Sequence, residues 1–158
     1  MVKVLFVCTG NICRSPTAHG LLRAQVAKAG LDGRIIVDSA GTHGYHNGQP
    51  PDPRSIATAR QHGIDLSDLR ARQVTDRDFA AFDIIAAMER THERALRLRC
   101  PPALSDRISL LMDFAADPTT REVIDPYYGD EGFETVYQMI EAGVAGLLDH
   151  IRSHYSGI

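Results

Sequence analysis

Two side chains that could act together on a phosphate ester lie near the start of the chain. Cys8 and Arg14 stand at the ends of a short segment that includes Gly10 and Asn11. Glycine and asparagine tolerate positive φ, so the segment can curl with its N–H groups pointing inward, and such a curl binds anions. A guanidinium can grip phosphate with two donors, and a thiolate is a strong nucleophile. The spacing therefore predicts attack by sulfur on a phosphomonoester, giving a cysteinyl-phosphate that water hydrolyses.

The elements on either side of this segment would hold it in place. Residues 4–7 form a continuous apolar run, typical of a strand buried on both faces of a parallel sheet. Cys8 then falls at the carboxyl edge of the sheet, where α/β proteins bind ligands. Ser15 followed by Pro16 has the pattern of a helix N-cap with proline at the first helical position. We therefore expect the positive end of a helix dipole to favour both the thiolate and the phosphate.

A leaving phenolate or alkoxide needs a proton, so this chemistry also requires a general acid. Asp125 is the best candidate, because Pro126 keeps it out of helical geometry, as expected for a carboxyl group on a stiff loop. Tyr127 and Tyr128 follow directly, and at least one of them should line a wall of the site. An aspartate before proline is also a common turn residue. The segment around Cys8 makes the catalytic interpretation the stronger one.

The motifs at residues 8–16 and 125–128 resemble those of the low-molecular-weight protein tyrosine phosphatase family. Further segments resemble the family in the same order, so the resemblance covers nearly the whole chain; they are residues 38–41, 51–54, 71–74 and 79–83, and Met88. The resemblance implies a flavodoxin-like α/β fold and hydrolysis of phosphotyrosine in protein substrates. It implies neither a cofactor nor a metal.

The resemblance also implies a role for individual residues. Cys8 matches the nucleophile, Arg14 the phosphate clamp and Asp125 the general acid. Ser15 matches a hydroxyl that stabilises the thiolate, and Asn11 matches an asparagine held in a left-handed conformation.

The phosphate and substrate site implied by the resemblance is larger than these groups. Cys13 matches a cysteine that can form a reversible disulfide with the nucleophile. The binding residues expected in this site are Thr9, Gly10, Asn11, Ile12, Cys13, Ser15, Tyr45, Tyr127 and Tyr128.

The chain departs from the family pattern at three positions. The family usually has an acidic residue where this chain has His19, a histidine where it has Leu69 and a tryptophan where it has Tyr45. The first two changes could alter the support of the Asn11 loop. The third could alter ring stacking at the mouth of the site, and none removes a catalytic group.

Three other functions remain open at this point. Arsenate reductases of this type need two further redox cysteines, but Cys100 is the only cysteine after Cys13. Arginine phosphatases of this type tend to have threonine where Ile12 stands, and an apolar wall opposite tyrosines favours a flat aromatic substrate. A non-catalytic phosphopeptide-binding module would be expected to lack Cys8 or Asp125.

Composition limits the remaining possibilities. A chain of 158 residues that is 44% hydrophobic suits a single domain over residues 1–158. The net charge of −3 and the lack of a basic run give no sign of a nucleic-acid partner. No signal peptide or membrane segment is evident, and three cysteines suggest a reducing compartment. We therefore expect a cytoplasmic protein without membrane contact, with a monomer favoured.

Helical and strand patterns alternate along the chain, which predicts a doubly wound parallel sheet of four strands with helices on both faces. The predicted strands are residues 2–7, 34–39, 83–88 and 108–111. The predicted helices are residues 16–29, 53–62, 91–99 and 131–154, the first two of them ended by Gly30 and Gly63.

Histidines outside the two motifs are interpreted as solvated residues. His43 and His46 lie in the glycine- and proline-rich loop at residues 41–53, and they lack further ligands at metal-binding spacing. The remaining four predicted to be solvated are His62, His92, His150 and His154.

Overall fold

A computed structural model describes residues 1–117, 120–129 and 131–158. Its sheet consists of β1 (Val2–Cys8), β2 (Ile35–Gly41), β3 (Ile84–Ala87) and β4 (Ile108–Leu110). Its α-helices are α1 (Arg14–Lys28), α2 (Pro53–Gln61), α3 (Asp78–Ala81), α4 (Arg90–Arg99) and α5 (Phe133–His154). All neighbouring strands are parallel, in the order β2-β1-β3-β4. This confirms the predicted α/β class and the doubly wound sheet.

The central strand β1 carries apolar residues toward both faces of the sheet. Val4 and Phe6 are fully buried in one cluster, together with side chains of α1 and α5. Leu5 and Val7 are fully buried in a second cluster, together with Leu96 of α4. Successive side chains of a strand point to opposite faces, so an unbroken apolar run requires a covering layer on each side. Cys8 belongs to the cluster on the α1 and α5 side.

The strand order places a crevice at the carboxyl end of β1. The chain leaves β1 for β2 on one side and later returns to β3 on the other, so the loops after β1 and β3 separate around this point. In open α/β sheets, such a switch point is where ligands bind. Cys8 at the end of β1 and Met88 after β3 both lie at this edge.

The predicted elements agree with the structure to within about two residues at most ends. Gly30 and Gly63 have φ values of 71° and 79°, the left-handed geometry that ends a helix. Three short elements were not predicted: α3 and the 3₁₀ helices Pro102–Arg107 and Leu111–Phe114. Helices of four to six residues are too short to show a helical repeat of apolar positions.

The start of α1 differs from the prediction. Ser15 was expected to cap this helix, but α1 begins at Arg14 with Cys13 as its N-cap, and Cys13 makes no side-chain capping bond in the described structure. Ser15 lies inside the first turn and is fully buried, with its hydroxyl turned toward Cys8. The helix thus begins two residues earlier than a serine cap would place it, and the Ser15 hydroxyl contacts the Cys8 sulfur instead of capping the helix.

Candidate active site

A pocket at the carboxyl edge of the sheet brings the two predicted motifs together. It encloses about 100 Å³, and Cys8 and Arg14 line it together with Asp125, which is more than 100 residues away in sequence. Its other lining residues are Thr9, Gly10, Ile12, Cys13, Tyr45, His46, Tyr127 and Tyr128. Asn11 and Ser15 are instead buried behind it, at 2% and 0% exposure.

The loop between Cys8 and α1 is held in a tight curl by its own side chains. Asn11 has a φ of 58° and is the only non-glycine residue with positive φ in the described chain. Its Nδ2 donates to Ser15 Oγ at 2.7 Å, and its Oδ1 accepts from the Arg72 backbone N–H at 3.0 Å. The left-handed conformation implied by the family resemblance is therefore present, and both ends of the Asn11 amide stabilise it.

Two glycines allow neighbouring loops to approach this curl. A Cβ on Gly41 would lie 2.6 Å from the Thr9 carbonyl oxygen, at the point where β2 ends beside the loop. A Cβ on Gly10 would lie 2.9 Å from the His46 ring. Both distances are closer than real Cβ contacts, so larger residues would push the loop and its walls apart.

Cys8 is only 2% exposed, and its sulfur lies 3.0 Å from Ser15 Oγ. Since Asn11 already donates to Ser15 Oγ, the Ser15 proton is available for the sulfur; the other acceptor near it is the Ala40 carbonyl, at 3.4 Å. The curl also opens toward the N-terminus of α1, whose first turn holds no acidic residue. This arrangement stabilises a negative charge at Cys8.

Arg14 is a buried cation whose orientation is fixed from several sides. Its Nη1 donates to the Val123 carbonyl at 3.0 Å and lies 3.4 Å from Glu89 Oε2. Its Nη2 lies 3.6 Å from Asp125 Oδ2. At 2% exposure this charge needs such partners, because an unpaired buried guanidinium would be strongly destabilising. The guanidinium lines the pocket beside Cys8, where it can grip a phosphate.

The two oxygens of Asp125 have different surroundings. Oδ1 accepts the Tyr127 backbone N–H at 3.0 Å, which fixes the carboxyl group on its loop. Oδ2 lies toward Arg14 in the pocket. The geometry leaves Oδ2 as the oxygen that can exchange a proton with a bound group.

The rim of the pocket is aromatic. Tyr45 and Tyr128 are 73% and 93% exposed, Tyr127 is 36% exposed, and the Tyr127 and Tyr128 rings lie 5.1 Å apart. Ile12 adds an apolar wall nearer the base of the loop. Both tyrosines after Pro126 line the pocket, as the sequence indicated for at least one of them.

Cys13 lines the same pocket as Cys8 but has a different environment. Burial is the main factor that raises the pKa of its thiol to about 12, and the nearby Asp52 carboxylate adds to the effect. Cys13 is therefore a protonated thiol at neutral pH. All three cysteines are free in the structure.

Three residues of the site were missed or misinterpreted from the sequence. His46, predicted to be a solvated loop residue, lines the pocket and meets the Tyr127 ring edge-on at 6.1 Å. His92 was also expected to be solvated, but it is 3% exposed and its Nε2 lies 2.8 Å from Thr9 Oγ1. Glu89, beside Arg14, was not predicted from the sequence. The signal available for the last two was their place just after the third predicted strand, at the carboxyl edge of the sheet.

Among the described residues, His19 and Leu69, two of the positions that depart from the family pattern, form no ion pair behind the loop. His19 is buried, its Nδ1 lies 2.9 Å from Ser39 Oγ, and burial lowers its pKa to about 4. Leu69 is a buried apolar residue. The support for Asn11 comes instead from the backbone of Arg72.

Arg54 connects the N-terminus of α2 with the loop that carries Asp125. It donates to the carbonyl oxygens of Tyr127 at 2.9 Å and Gly129 at 2.6 Å. Its guanidinium also binds Asp52, the N-cap of α2, and lies 4.6 Å from the centre of the Phe133 ring. The pKa of Asp52 is lowered chiefly by its bond to Arg54. The Asp52 backbone N–H in turn donates to the Ile12 carbonyl at 2.8 Å, so α2 joins both sides of the pocket.

The described residues show neither a cluster of metal ligands nor a membrane-spanning helix. Within the described residues, no three His, Cys, Asp or Glu side chains are grouped as a metal ion would require. Likewise, none of the helices described is both long and apolar enough to span a bilayer.

Comparison with known proteins gives consistent matches over the chain. The family model described as low molecular weight phosphotyrosine protein phosphatase matches residues 3–156. The low molecular weight protein-tyrosine-phosphatase of Streptomyces coelicolor is 42% identical over 160 residues, covering 98% of this chain and 96% of the relative. The human low molecular weight phosphotyrosine protein phosphatase is 43% identical over 138 residues, covering 86% and 87% of the two chains.

The fold leads to the same group of proteins. The crystal structure of YfkJ from Bacillus subtilis superposes with a TM-score of 0.94 at 40% identity, covering 99% of this chain and 98% of that one. The likeness therefore includes the Cys8 loop as well as the distant Asp125 loop.

Proposed function

This chain belongs to the low molecular weight phosphotyrosine protein phosphatase family, and we propose that Cys8, Arg14 and Asp125 carry out its reaction. It is a protein-tyrosine-phosphatase, a hydrolase, as its relatives are named. The observation that supports these three roles is the convergence of Cys8, Arg14 and Asp125 in one pocket, where Asp125 Oδ2 lies 3.6 Å from Arg14 Nη2.

The first half of the reaction transfers the phosphoryl group to the enzyme. The Cys8 thiolate, stabilised by Ser15, attacks phosphorus while Arg14 and the N–H groups of the loop hold the phosphoryl oxygens. The bond from phosphorus to the tyrosine oxygen breaks, and Asp125 Oδ2 gives its proton to the leaving phenolate. The products are free tyrosine hydroxyl and a cysteinyl-phosphate.

The second half returns the enzyme to its starting state. The Asp125 carboxylate now takes a proton from a water molecule, which attacks phosphorus and displaces the Cys8 sulfur as a thiolate. Inorganic phosphate leaves. Acid and base are the same carboxyl group, so its fixed position serves both steps.

The pocket also supports a preference for phosphotyrosine. Cys8 and Arg14 lie at its buried base, while Tyr45, Tyr127 and Tyr128 form the rim. A long aryl ester can reach the base between these walls, whereas a short alkyl ester cannot reach it as well. The other functions left open by the sequence are not favoured, since the relatives are named tyrosine phosphatases.

We further infer that the protein acts as a monomer in the cytoplasm on phosphotyrosine proteins. Its three unpaired cysteines support a reducing compartment. Cell fractionation would test the location and size-exclusion chromatography the oligomeric state; recovery in a membrane or secreted fraction, or elution as a dimer, would contradict the inference.

The proposed roles are tested by hydrolysis of p-nitrophenyl phosphate at mildly acidic pH without added metal. We expect Cys8→Ser to abolish turnover and Asp125→Ala to reduce it by about 10²- to 10⁴-fold, the usual contribution of a general acid. Cys100→Ser and Asp113→Ala are matched controls, because Cys100 is another buried thiol and Asp113 another partly exposed aspartate paired with an arginine. Phosphate binding without turnover in the native chain would indicate a binding module instead.

A further inference from the structure

His92 is a buried polar residue beside the pocket to which the proposed reaction gives no role. It lies in the first turn of α4, directly after the end of β3, and only 3% of it is exposed. Its Nε2 lies 2.8 Å from Thr9 Oγ1, and Thr9 lines the pocket next to the nucleophile. The His92 ring therefore contacts the phosphate-binding loop, the segment between Cys8 and α1, from outside the pocket.

The hydrogen bonds of the ring decide where its proton is. Among the described residues, none offers a partner to His92 Nδ1, which is buried. A neutral imidazole has one N–H, and a buried N–H without an acceptor is costly. The proton therefore belongs on Nε2, where the Thr9 oxygen accepts it. Burial, together with the charge of Arg14, lowers the pKa of His92 to about 3, so the ring stays neutral in mildly acidic solution.

This proton position determines what the Thr9 hydroxyl can do. Its oxygen accepts from His92 Nε2, and Arg14 Nη2 lies 3.5 Å from the same oxygen. A hydroxyl has two acceptor positions and one proton. With its acceptor positions turned to His92 and Arg14, its proton is left for a group in the pocket.

We propose that His92 is a positioning residue for phosphate binding. It orients the Thr9 hydroxyl as a donor to a phosphoryl oxygen, and this bond keeps the phosphoryl oxygen in contact with Arg14. The inference rests on the proposed function, because it takes phosphate to bind at Arg14. His92 does not touch the substrate in this arrangement and acts through Thr9. Glu89 helps to place the ring, since its Oε1 lies 3.5 Å from His92 Nε2.

The test is inhibition of p-nitrophenyl phosphate hydrolysis by inorganic phosphate, measured on the full chain. His92→Phe keeps a ring without the donor, and we expect the inhibition constant of phosphate to rise by about 3- to 10-fold, as for one lost hydrogen bond. His92→Gln, whose amide can place an N–H near the same point, should recover most of the loss. His62→Phe is the control, because it removes a histidine bonded to Glu134 and stacked on Tyr137 away from the pocket. It should lower stability and leave the inhibition constant unchanged.

The dependence on Thr9 separates positioning from a general structural effect. Thr9→Val should raise the inhibition constant of phosphate as much as His92→Phe does, whereas Thr9→Ser should leave it unchanged. The double variant Thr9→Val/His92→Phe should bind phosphate no more weakly than either single variant. The proposal would be overturned if His92→Phe and the native chain had equal inhibition constants for phosphate. It would also be overturned if the losses of phosphate binding were additive in the double variant. Should His92→Phe not fold, equal constants for Thr9→Val and Thr9→Ser would overturn it. A native chain that neither hydrolyses the ester nor binds phosphate would instead remove the proposed function, and this inference with it.

Discussion

At the scale of single residues, the chemistry depends on which hydrogen-bonding capacity is left over after the fold has used the rest. Asn11 fills an acceptor position of Ser15, so the Ser15 proton can go to Cys8. The Tyr127 N–H occupies one oxygen of Asp125 and leaves the other for proton transfer. Each of these groups is thus left with one hydrogen-bonding position that the fold does not use, and that position is directed toward the pocket.

Cys13 provides a prediction at this scale. Peroxide should oxidise the Cys8 thiolate to a sulfenic acid first, because Cys13 with its raised pKa is protonated at neutral pH. Attack by the Cys13 sulfur on this sulfenic acid would release water and form a disulfide that thiols can reduce. We therefore expect activity lost to excess peroxide to return with dithiothreitol in the native chain and in Cys100→Ser. It should not return in Cys13→Ser, because peroxide there oxidises the Cys8 sulfenic acid further to a sulfinic acid that thiols do not reduce. Unchanged recovery in Cys13→Ser would show that this disulfide has no protective role.

At the scale of elements, the N-terminus of α2 is the part that holds the two halves of the site at a fixed distance. The Asp52 backbone binds the carbonyl of Ile12 in the phosphate loop, and Arg54 binds two carbonyls of the Asp125 loop. The proposed nucleophile and acid, Cys8 and Asp125, come from distant parts of the sequence, so neither loop alone can fix their separation. α2 supplies the missing rigid connection.

Arg54→Met should therefore loosen the Asp125 loop more than the phosphate-binding loop. Proton donation matters most for a poor leaving group, so kcat/KM should fall by about tenfold for phenyl phosphate and less for p-nitrophenyl phosphate. Arg97→Met is a matched control, because Arg97 also donates to two backbone carbonyls, those of Ser105 and Ile108, far along α4. Equal losses on both esters would mean that Arg54 does not position the acid.

At the scale of the whole molecule, two histidines are buried in the neutral form, His19 behind the phosphate loop and His92 beside it. Burial places the pKa of His19 at about 4 and that of His92 at about 3, whereas both would titrate near 6.5 in the unfolded chain. Between these values the unfolded state binds more protons than the folded state. Above about pH 6.5 these two histidines therefore do not lower the unfolding free energy. As the pH falls toward 4, their protonation in the unfolded state lowers it progressively.

For His19 the expected loss can be measured by urea unfolding at pH 7 and pH 4.5. Since its pKa falls from 6.5 to about 4, this residue alone should cost about 2 to 3 kcal/mol of unfolding free energy over that range. His19→Gln keeps an amide for Ser39 and does not titrate in this range. Its unfolding free energy should therefore fall by about 2 to 3 kcal/mol less than that of the native chain between pH 7 and pH 4.5. His154→Gln removes an exposed histidine and should lose as much as the native chain does. The same pH dependence in His19→Gln as in the native chain would contradict this account.

The sequence by itself determined the local part of the site and the class of the fold. Cys8, Arg14 and the residues between them lie in one loop, so the chemistry of neighbours along the chain predicts their joint action on phosphate. The apolar run before Cys8 and the alternation of strand and helix patterns predicted a buried central strand and a doubly wound sheet, which the order β2-β1-β3-β4 confirms. These features depend on short-range patterns of apolar and turn-forming residues.

Only the tertiary structure decided which distant residues complete the pocket. The sequence predicts a solvated His92 near a helix end, whereas its contact with Thr9 spans 83 positions of sequence. The bonds from Arg54 to the Tyr127 and Gly129 carbonyls likewise span more than 70 positions, and His46 lies against Gly10 of another loop. A periodic pattern shows which face of an element is buried, but it does not show what that face meets. The contact between His92 and Thr9 is set by the strand order, which puts the end of β3 beside the end of β1 and brings the first turn of α4 against the phosphate-binding loop.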